Sequence, residues 1–279
     1  MHHTIRVRSA LTGLLTAALT AATLTAAAPA SQAATTDPTS SAAAYKSWLA
    51  DKINAGDTNA LHVYNGFSAL SADKQTKFLA YLKDPSVTQK FVSFLNGATD
   101  NTGVDPNYDA TTGGVGIDNP PSPFVNGDVS DIGVGAAGTE LASIPDKGGD
   151  ITYGASAGMT TPSGISMPIK QSAQAADWNA WYKVNDTMFG VKITEVKIWV
   201  NYHSNTKRAT KVYSAGASHY NYVPFSTFSH SPVSKWISAA GNATAETTWT
   251  GKLEVVDTEW SATEHLWADE TGFRGGWLR

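Results

Sequence analysis

Residues 154–158 read Gly-Ala-Ser-Ala-Gly, the spacing of a nucleophile elbow. In such an elbow a serine lies on a sharp turn between a strand and a helix, and backbone N–H groups beside it form an oxyanion hole. Asp257 and His265 follow Ser156 in the acid-then-histidine order of this hydrolase class. The residues after Gly158 do not favour a helix, and the chain lacks that fold's alternating strands and helices. A hydrolase using Ser156, Asp257 and His265 is therefore an alternative hypothesis.

Histidines form a second group that could do chemistry, because imidazole binds zinc or copper at neutral pH. His203, His219 and His230 lie in a region of predicted strands, and His265 lies further along the chain. No two of them have the i, i+2 or i, i+4 spacing that places ligands on one face of a strand or helix. A hydrolase with a histidine-bound metal is accordingly a second form of the same alternative.

Asp105, Asn107 and Asp109 alternate as the first oxygen ligands of a calcium loop do. An EF-hand loop requires glycine at its sixth position and glutamate at its twelfth, where this chain has Ala110 and Gly116. The loop is therefore not an EF-hand, and an Asx-rich turn is the simpler interpretation. We expect no cofactor, with calcium at these three residues as the alternative.

Aromatic residues are concentrated in the C-terminal half, where eight of the nine tryptophans follow residue 177. Apolar side chains alternate through residues 196–202, which points Trp199 away from the predicted core, between Lys197 and Asn201. A ring flanked by amides and charges suits a sugar, which presents both C–H faces and hydroxyls. Residues 219–222, His-Tyr-Asn-Tyr, mix the same groups. The candidate ligand contacts are Trp199, Tyr202, Tyr220 and Tyr222; the alternative is that another layer covers Trp199.

Composition excludes several classes of function. The 279 residues carry a formal net charge of −4, with no run of Lys or Arg, so nucleic acid is not an expected partner. The chain has no cysteine, which excludes catalytic thiols, cysteine zinc sites and disulfides. With 42% hydrophobic residues it can fill a core.

The first 33 residues have the pattern of a signal peptide. Arg6 and Arg8 precede an uncharged run at residues 11–28, and residues 31–33, Ser-Gln-Ala, provide a cleavage site. Threonines dilute the run, so it is less apolar than a membrane-spanning helix. We therefore expect an extracellular protein with no membrane span after cleavage, and the Ala- and Thr-rich leader favours a bacterial source.

Residues 34–40 form a polar spacer, and residues 41–97 have helical periodicity. Tyr45, Trp48 and Leu49 share one apolar face, Ser71 can cap a later helix, and Asp84 followed by Pro85 marks another helix start. The second helix is predicted to be interrupted at Gly66. These residues predict a small helical bundle.

Residues 98–149 are rich in Gly, Pro and Asp and are predicted to be a linker or loop. Residues 150–279 instead show strand-like alternation, with Phe189 predicted to lie in one of the strands. Many short alternating strands without helices between them favour an antiparallel β-sandwich. The predicted fold class is α+β, a small N-terminal helical bundle followed by a mainly antiparallel β-sandwich.

The main functional hypothesis is a secreted, non-catalytic binding protein that holds a polysaccharide or another cell-surface component through aromatic residues on a sheet face. The hydrolase above is one alternative. A protein partner is another, because the Gly- and Pro-rich residues 115–126 could enter a protease cleft as an inhibitor does.

Overall fold

The structure is a computed structural model that describes residues 37–95, 138–254 and 257–279. All of these residues belong to one compact unit, Thr36–Arg279. The predicted signal peptide and the calcium candidates Asp105, Asn107 and Asp109 lie outside the described residues.

Within the described residues, four helices precede the sheets: α1 (Ala42–Asn54), α2 (Thr58–Ala69), α3 (Ala72–Lys83) and α4 (Pro85–Leu95). The predicted cap is present at α3, where the Ser71 hydroxyl accepts a hydrogen bond from the Lys74 backbone N–H. The predicted interruption at Gly66 was wrong, because α2 continues through it. A Cβ there would lie 3.0 Å from a methyl group of Val191. The glycine therefore lets the helix approach the sheet.

Eleven strands follow in the described part of the chain: β1 (Thr139–Asp146), β2 (Ile151–Thr160), β3 (Ser166–Met167), β4 (Ala176–Met188), β5 (Val191–Ser204), β6 (Ala209–Asn221), β7 (Ser226–His230), β8 (Ser234–Ile237), β9 (Ala243–Leu253), β10 (Thr258–Asp269) and β11 (Gly272–Leu278). Sheet A has the order β1-β2-β4-β5-β6, with β3 also paired to β2. Sheet B has the order β11-β10-β9-β7, with β8 also paired to β9. The pairings are antiparallel, so the α+β prediction with a mainly antiparallel C-terminal part is confirmed.

Two local expectations differ from the structure. β1 lies within residues 98–149, which the sequence predicted to be a linker or loop. This strand is at the edge of sheet A and is mostly exposed, so it shows no apolar alternation and tolerates Pro145. Phe189 lies outside the strands, in the turn between β4 and β5 with a positive φ of 50°. It contacts the helices through its ring, which stacks on Tyr81 at 5.9 Å.

The two sheets enclose the core. The predicted inward side chains Val196, Ile198 and Val200 are all fully buried. Between the sheets, the rings of Tyr182 and Phe273 stack with their centroids 6.3 Å apart. Alternation along β4 and β5 therefore sets which side chains form the core.

The helices close one end of the sandwich, at a contact that we call the helix–sandwich junction. Two buried tyrosine hydroxyls form hydrogen bonds across this junction. Tyr45 of the helices donates to the Tyr222 carbonyl at 2.9 Å, and Tyr153 of the sheets donates to the Val87 carbonyl at 3.1 Å. Lys90 and Asp146 pair at its surface, 2.6 Å apart. The helices and sheets thus share one continuous core.

Candidate functional site

Half of the eight tryptophans that follow residue 177 pack against glycine. Four of them lie opposite a glycine on the neighbouring strand: Trp181 with Gly158, Trp199 with Gly216, Trp260 with Gly251, and Trp267 with Gly275. A Cβ at any of these glycines would overlap the indole ring. All four tryptophans are at most 8% exposed. The aromatic richness of the C-terminal half therefore largely serves packing.

Three of the four predicted ligand contacts are buried. Trp199 is on the outward face of β5, as expected, but is only 5% exposed. Tyr202 lies between the sheets and donates to the Asp269 carbonyl at 2.8 Å. Tyr222 belongs to the helix–sandwich junction, where its hydroxyl donates to Asp57 at 2.7 Å. Only Tyr220 is partly exposed, so the structure does not bring the four together as one surface.

The residues of the predicted hydrolase are also separated. Residues 154–158 run through the middle of β2, so the sharp turn of a nucleophile elbow is not formed. Ser156 lies in sheet A, opposite Lys183, whereas His265 lies in sheet B. His265 is fully buried beside Glu246 (3.1 Å), and Asp257 pairs with Lys252 at 3.0 Å. Small residues with elbow spacing also suit a strand that packs against a large indole, as Gly158 does under Trp181.

The histidines do not converge as a group of three. His203 bonds to Asp177 at 2.8 Å, and His265 contacts Glu246. His219 and His230 lie together, with ring centroids 6.4 Å apart. Within the ranges that the structure describes, no group of three or more His, Asp and Glu side chains could hold a metal ion.

A depression of about 230 Å³ lies where α2 meets the turn between β4 and β5. Asn59 and His62 on α2 form one wall, and Lys192 and Tyr220 form the other. A second depression, of about 420 Å³, shares Asn59 and Tyr220 with the first. It continues past Asp57, His219, Asn221, Ser226, Thr227 and Phe228.

A third depression, of about 450 Å³, begins at Thr227 and extends over sheet B. Its lining is rich in hydroxyl groups: Thr227, Ser229, Thr250 and Ser261, with Lys252, Glu259, Gly251 and Trp260. The three depressions are neighbours: the first two share Asn59 and Tyr220, and the last two share Thr227. We call the three together the edge groove.

Charges in the edge groove are mostly compensated. Asp57 accepts from the Tyr222 hydroxyl and from the backbone N–H groups of Asn59 and Ala60 at the start of α2. Lys192 pairs with Glu195 at 2.8 Å, and Lys252 pairs with Asp257. Glu259 is the exposed acid at one end, 4.0 Å from Lys252. The groove therefore offers mainly neutral hydrogen-bonding groups.

Protonation states in the groove agree with that description. Burial raises the pKa of Tyr220 well above its ordinary value, and nearby Glu195 adds to the shift. Burial and the neighbouring His230 lower the pKa of His219, although a hydrogen bond to the Phe228 backbone opposes them. Both side chains are consequently neutral at neutral pH.

Sequence reasoning found Tyr220 but missed most of the groove. Asn59 and His62 come from α2, and Thr227 and Ser229 come from β7, about 165 residues further along the chain. The polar alternation Thr227-Phe228-Ser229 was a usable signal of a hydroxyl face. Nothing local in the sequence shows that this face lies beside α2.

Comparison with known proteins gives no match: no family model matches the chain, and none is found among curated proteins or solved structures. Among the residues described, no helix combines the length and the apolar character needed to cross a membrane.

Proposed function

We propose that this protein is a secreted, non-catalytic binding protein that holds an extended polysaccharide chain in the edge groove. The observation that carries the proposal is the succession of three neighbouring depressions lined mainly by uncharged hydrogen-bonding side chains. Export is supported by the signal-peptide pattern of residues 1–33.

The groove chemistry suits sugar rings. Hydroxyl and amide side chains both donate and accept hydrogen bonds, as sugar hydroxyls do. Tyr220 and Phe228 are partly exposed and add apolar ring surface to the second depression. An extended chain would cross from α2 over β6 and β7 to sheet B. A single small ligand would fill only one of the three depressions.

The alternatives have less support. The separation of Ser156 from His265 gives no basis for serine hydrolysis by these residues. The inhibitor hypothesis rests on residues 115–126, which lie outside the described residues. Binding without catalysis is therefore the function that the described residues favour.

The test is depletion of the purified protein from solution by insoluble chitin, cellulose and bacterial cell wall, with and without calcium. We expect selective retention on one matrix. Tyr220→Ala combined with Thr227→Ala should weaken retention about tenfold or more, because both side chains line the groove. Thr206→Ala is the matched control, since Thr206 is exposed in the turn between β5 and β6. Equal retention of all variants would refute the groove as the site.

A further inference from the structure

Two histidines meet beside the second depression of the edge groove, which His219 lines. His219 on β6 and His230 on β7 have ring centroids 6.4 Å apart, at an interplanar angle of 85°. Both rings also pack edge-on against the buried Trp249, at 5.6 and 4.9 Å. The contact between β6 and β7 is therefore made partly through imidazole, beside the hydrogen bond that Asn221 donates to the Ser226 hydroxyl.

Backbone carbonyls fix both rings. His230 Nδ1 lies 2.8 Å from the Ser231 carbonyl oxygen, and the His219 ring bonds to the Phe228 backbone. A carbonyl oxygen can only accept, so the ring nitrogen beside it carries a hydrogen. The second nitrogen of each ring is then the one that gains a proton when the histidine becomes charged.

The acidic residues of the elements around this pair are engaged with other partners. Glu264 on β10 is buried under Trp249, whose indole N–H donates to it at 2.7 Å, and burial raises the pKa of Glu264 well above its usual range. Asp57, beside α2, already accepts three hydrogen bonds. Glu195 on β5 is bound by Lys192 and Lys183. These acids therefore have other partners, and two imidazolium rings at this spacing would repel each other. His230 is exposed, so solvent weakens this repulsion and His219 is the ring that feels it most.

β7 is the element that such repulsion would move. It has five residues, lies at the edge of sheet B and pairs with β9. It also carries Thr227 and Phe228 into the groove. Loss of its contact with β6 would widen the second depression and separate the two walls that hold a chain.

We propose that the His219–His230 pair makes the edge groove acid-sensitive: neutral rings hold β7 against β6, and protonation of both rings releases β7 and the bound chain. The role in chain release rests on the proposed function, whereas the strand movement does not. The groove binds the same class of ligand as proposed above, but it holds that ligand only while the two histidines are neutral.

The first experiment follows imidazole protonation and backbone amide exchange by NMR between about pH 8 and 4.5, without ligand. We expect the midpoint of His219 to lie below that of free histidine and to rise in His230→Gln. After correction for intrinsic exchange, the amides of residues 226–230 should exchange about tenfold faster or more once both rings are protonated, while β10 stays protected. His203→Gln is the control, because His203 on β5 bonds to Asp177 and lines none of the three depressions. It should leave both results unchanged.

Unchanged protection of β7 through the His219 titration would overturn the proposal, as would an identical His219 midpoint in His230→Gln. The second experiment measures retention on the best polysaccharide matrix at pH 7.5 and 5. For the unsubstituted protein we expect retention at pH 5 to be at least tenfold weaker than at pH 7.5. In the double variant His219→Gln with His230→Gln we expect a smaller difference between the two pH values. Retention independent of pH would exclude the role in release. Failure of every matrix at both pH values would count against the proposed function alone, since the NMR result still decides the strand movement.

Discussion

Tyr220 and Tyr222 are two residues apart at the end of β6, but they belong to different kinds of surface. Tyr222 is 1% exposed and joins the helices to the sheets through Asp57 and Tyr45. Tyr220 lines the edge groove and is partly exposed. At the helix–sandwich junction, buried tyrosine hydroxyls are hydrogen-bonded across the contact. In the edge groove, polar side chains are instead accessible to a ligand. Substitutions at the junction should therefore change stability, and substitutions in the groove should change binding.

The largest effect is expected at the centre of the junction. Tyr45 is fully buried, packs against Phe67 at 4.9 Å and donates to the Tyr222 carbonyl. Tyr45→Ala should lower the free energy of unfolding by about 3–5 kcal/mol, because it leaves a cavity and an unpaired carbonyl. Chemical denaturation measures this loss. A loss below about 1 kcal/mol would show that the helices contribute little to the stability of the sandwich.

A pH-dependent effect of a few kcal/mol is expected at Asp186, inside the sandwich. Burial raises the pKa of Asp186 to about 8, and its carboxyl also acts on the junction residue Tyr153. The folded protein keeps this proton while the unfolded chain loses it near the ordinary value of 3.8, so stability falls as the pH rises between these values. The slope from this group approaches about 1.4 kcal/mol per pH unit.

Asp186→Asn removes this pH-dependent loss of stability. The variant should therefore become more stable relative to the unsubstituted protein as the pH rises from 5 to 7.5. Denaturation at both pH values provides the comparison. An Asp186→Asn difference that stays constant across this range would mean that the carboxyl is not held protonated in the fold.

The smallest changes in stability are expected when the hydroxyl groups of the two neighbouring tyrosines are removed. Tyr222→Phe removes the 2.7 Å hydrogen bond to Asp57 and should cost about 1–2 kcal/mol of stability, with polysaccharide retention unchanged. Tyr220→Phe should change stability by no more than about 0.5 kcal/mol but weaken retention. Thermal unfolding and the matrix assay, run on both variants, separate these roles. The reverse pattern would place the binding surface at the junction.

Local pattern predicted the elements well. Ser71 caps α3, Pro85 begins α4, and the alternation through residues 196–202 assigned inward and outward side chains of β5 as the structure has them. These features depend on backbone hydrogen bonding and on periods of 3.6 and 2 residues, which act over a few neighbours. The edge strand β1 was missed because an exposed strand needs no such period.

The sequence by itself determined the α+β class, the helix starts and the direction in which Trp199 points. Only the tertiary structure decided whether that direction leads to solvent. Trp199 is buried over Gly216, a residue of the next strand, and the strand register that brings them together is set by long-range pairing. The edge groove has the same origin, since α2, β6 and β7 become neighbours only when the helices close the end of the sandwich.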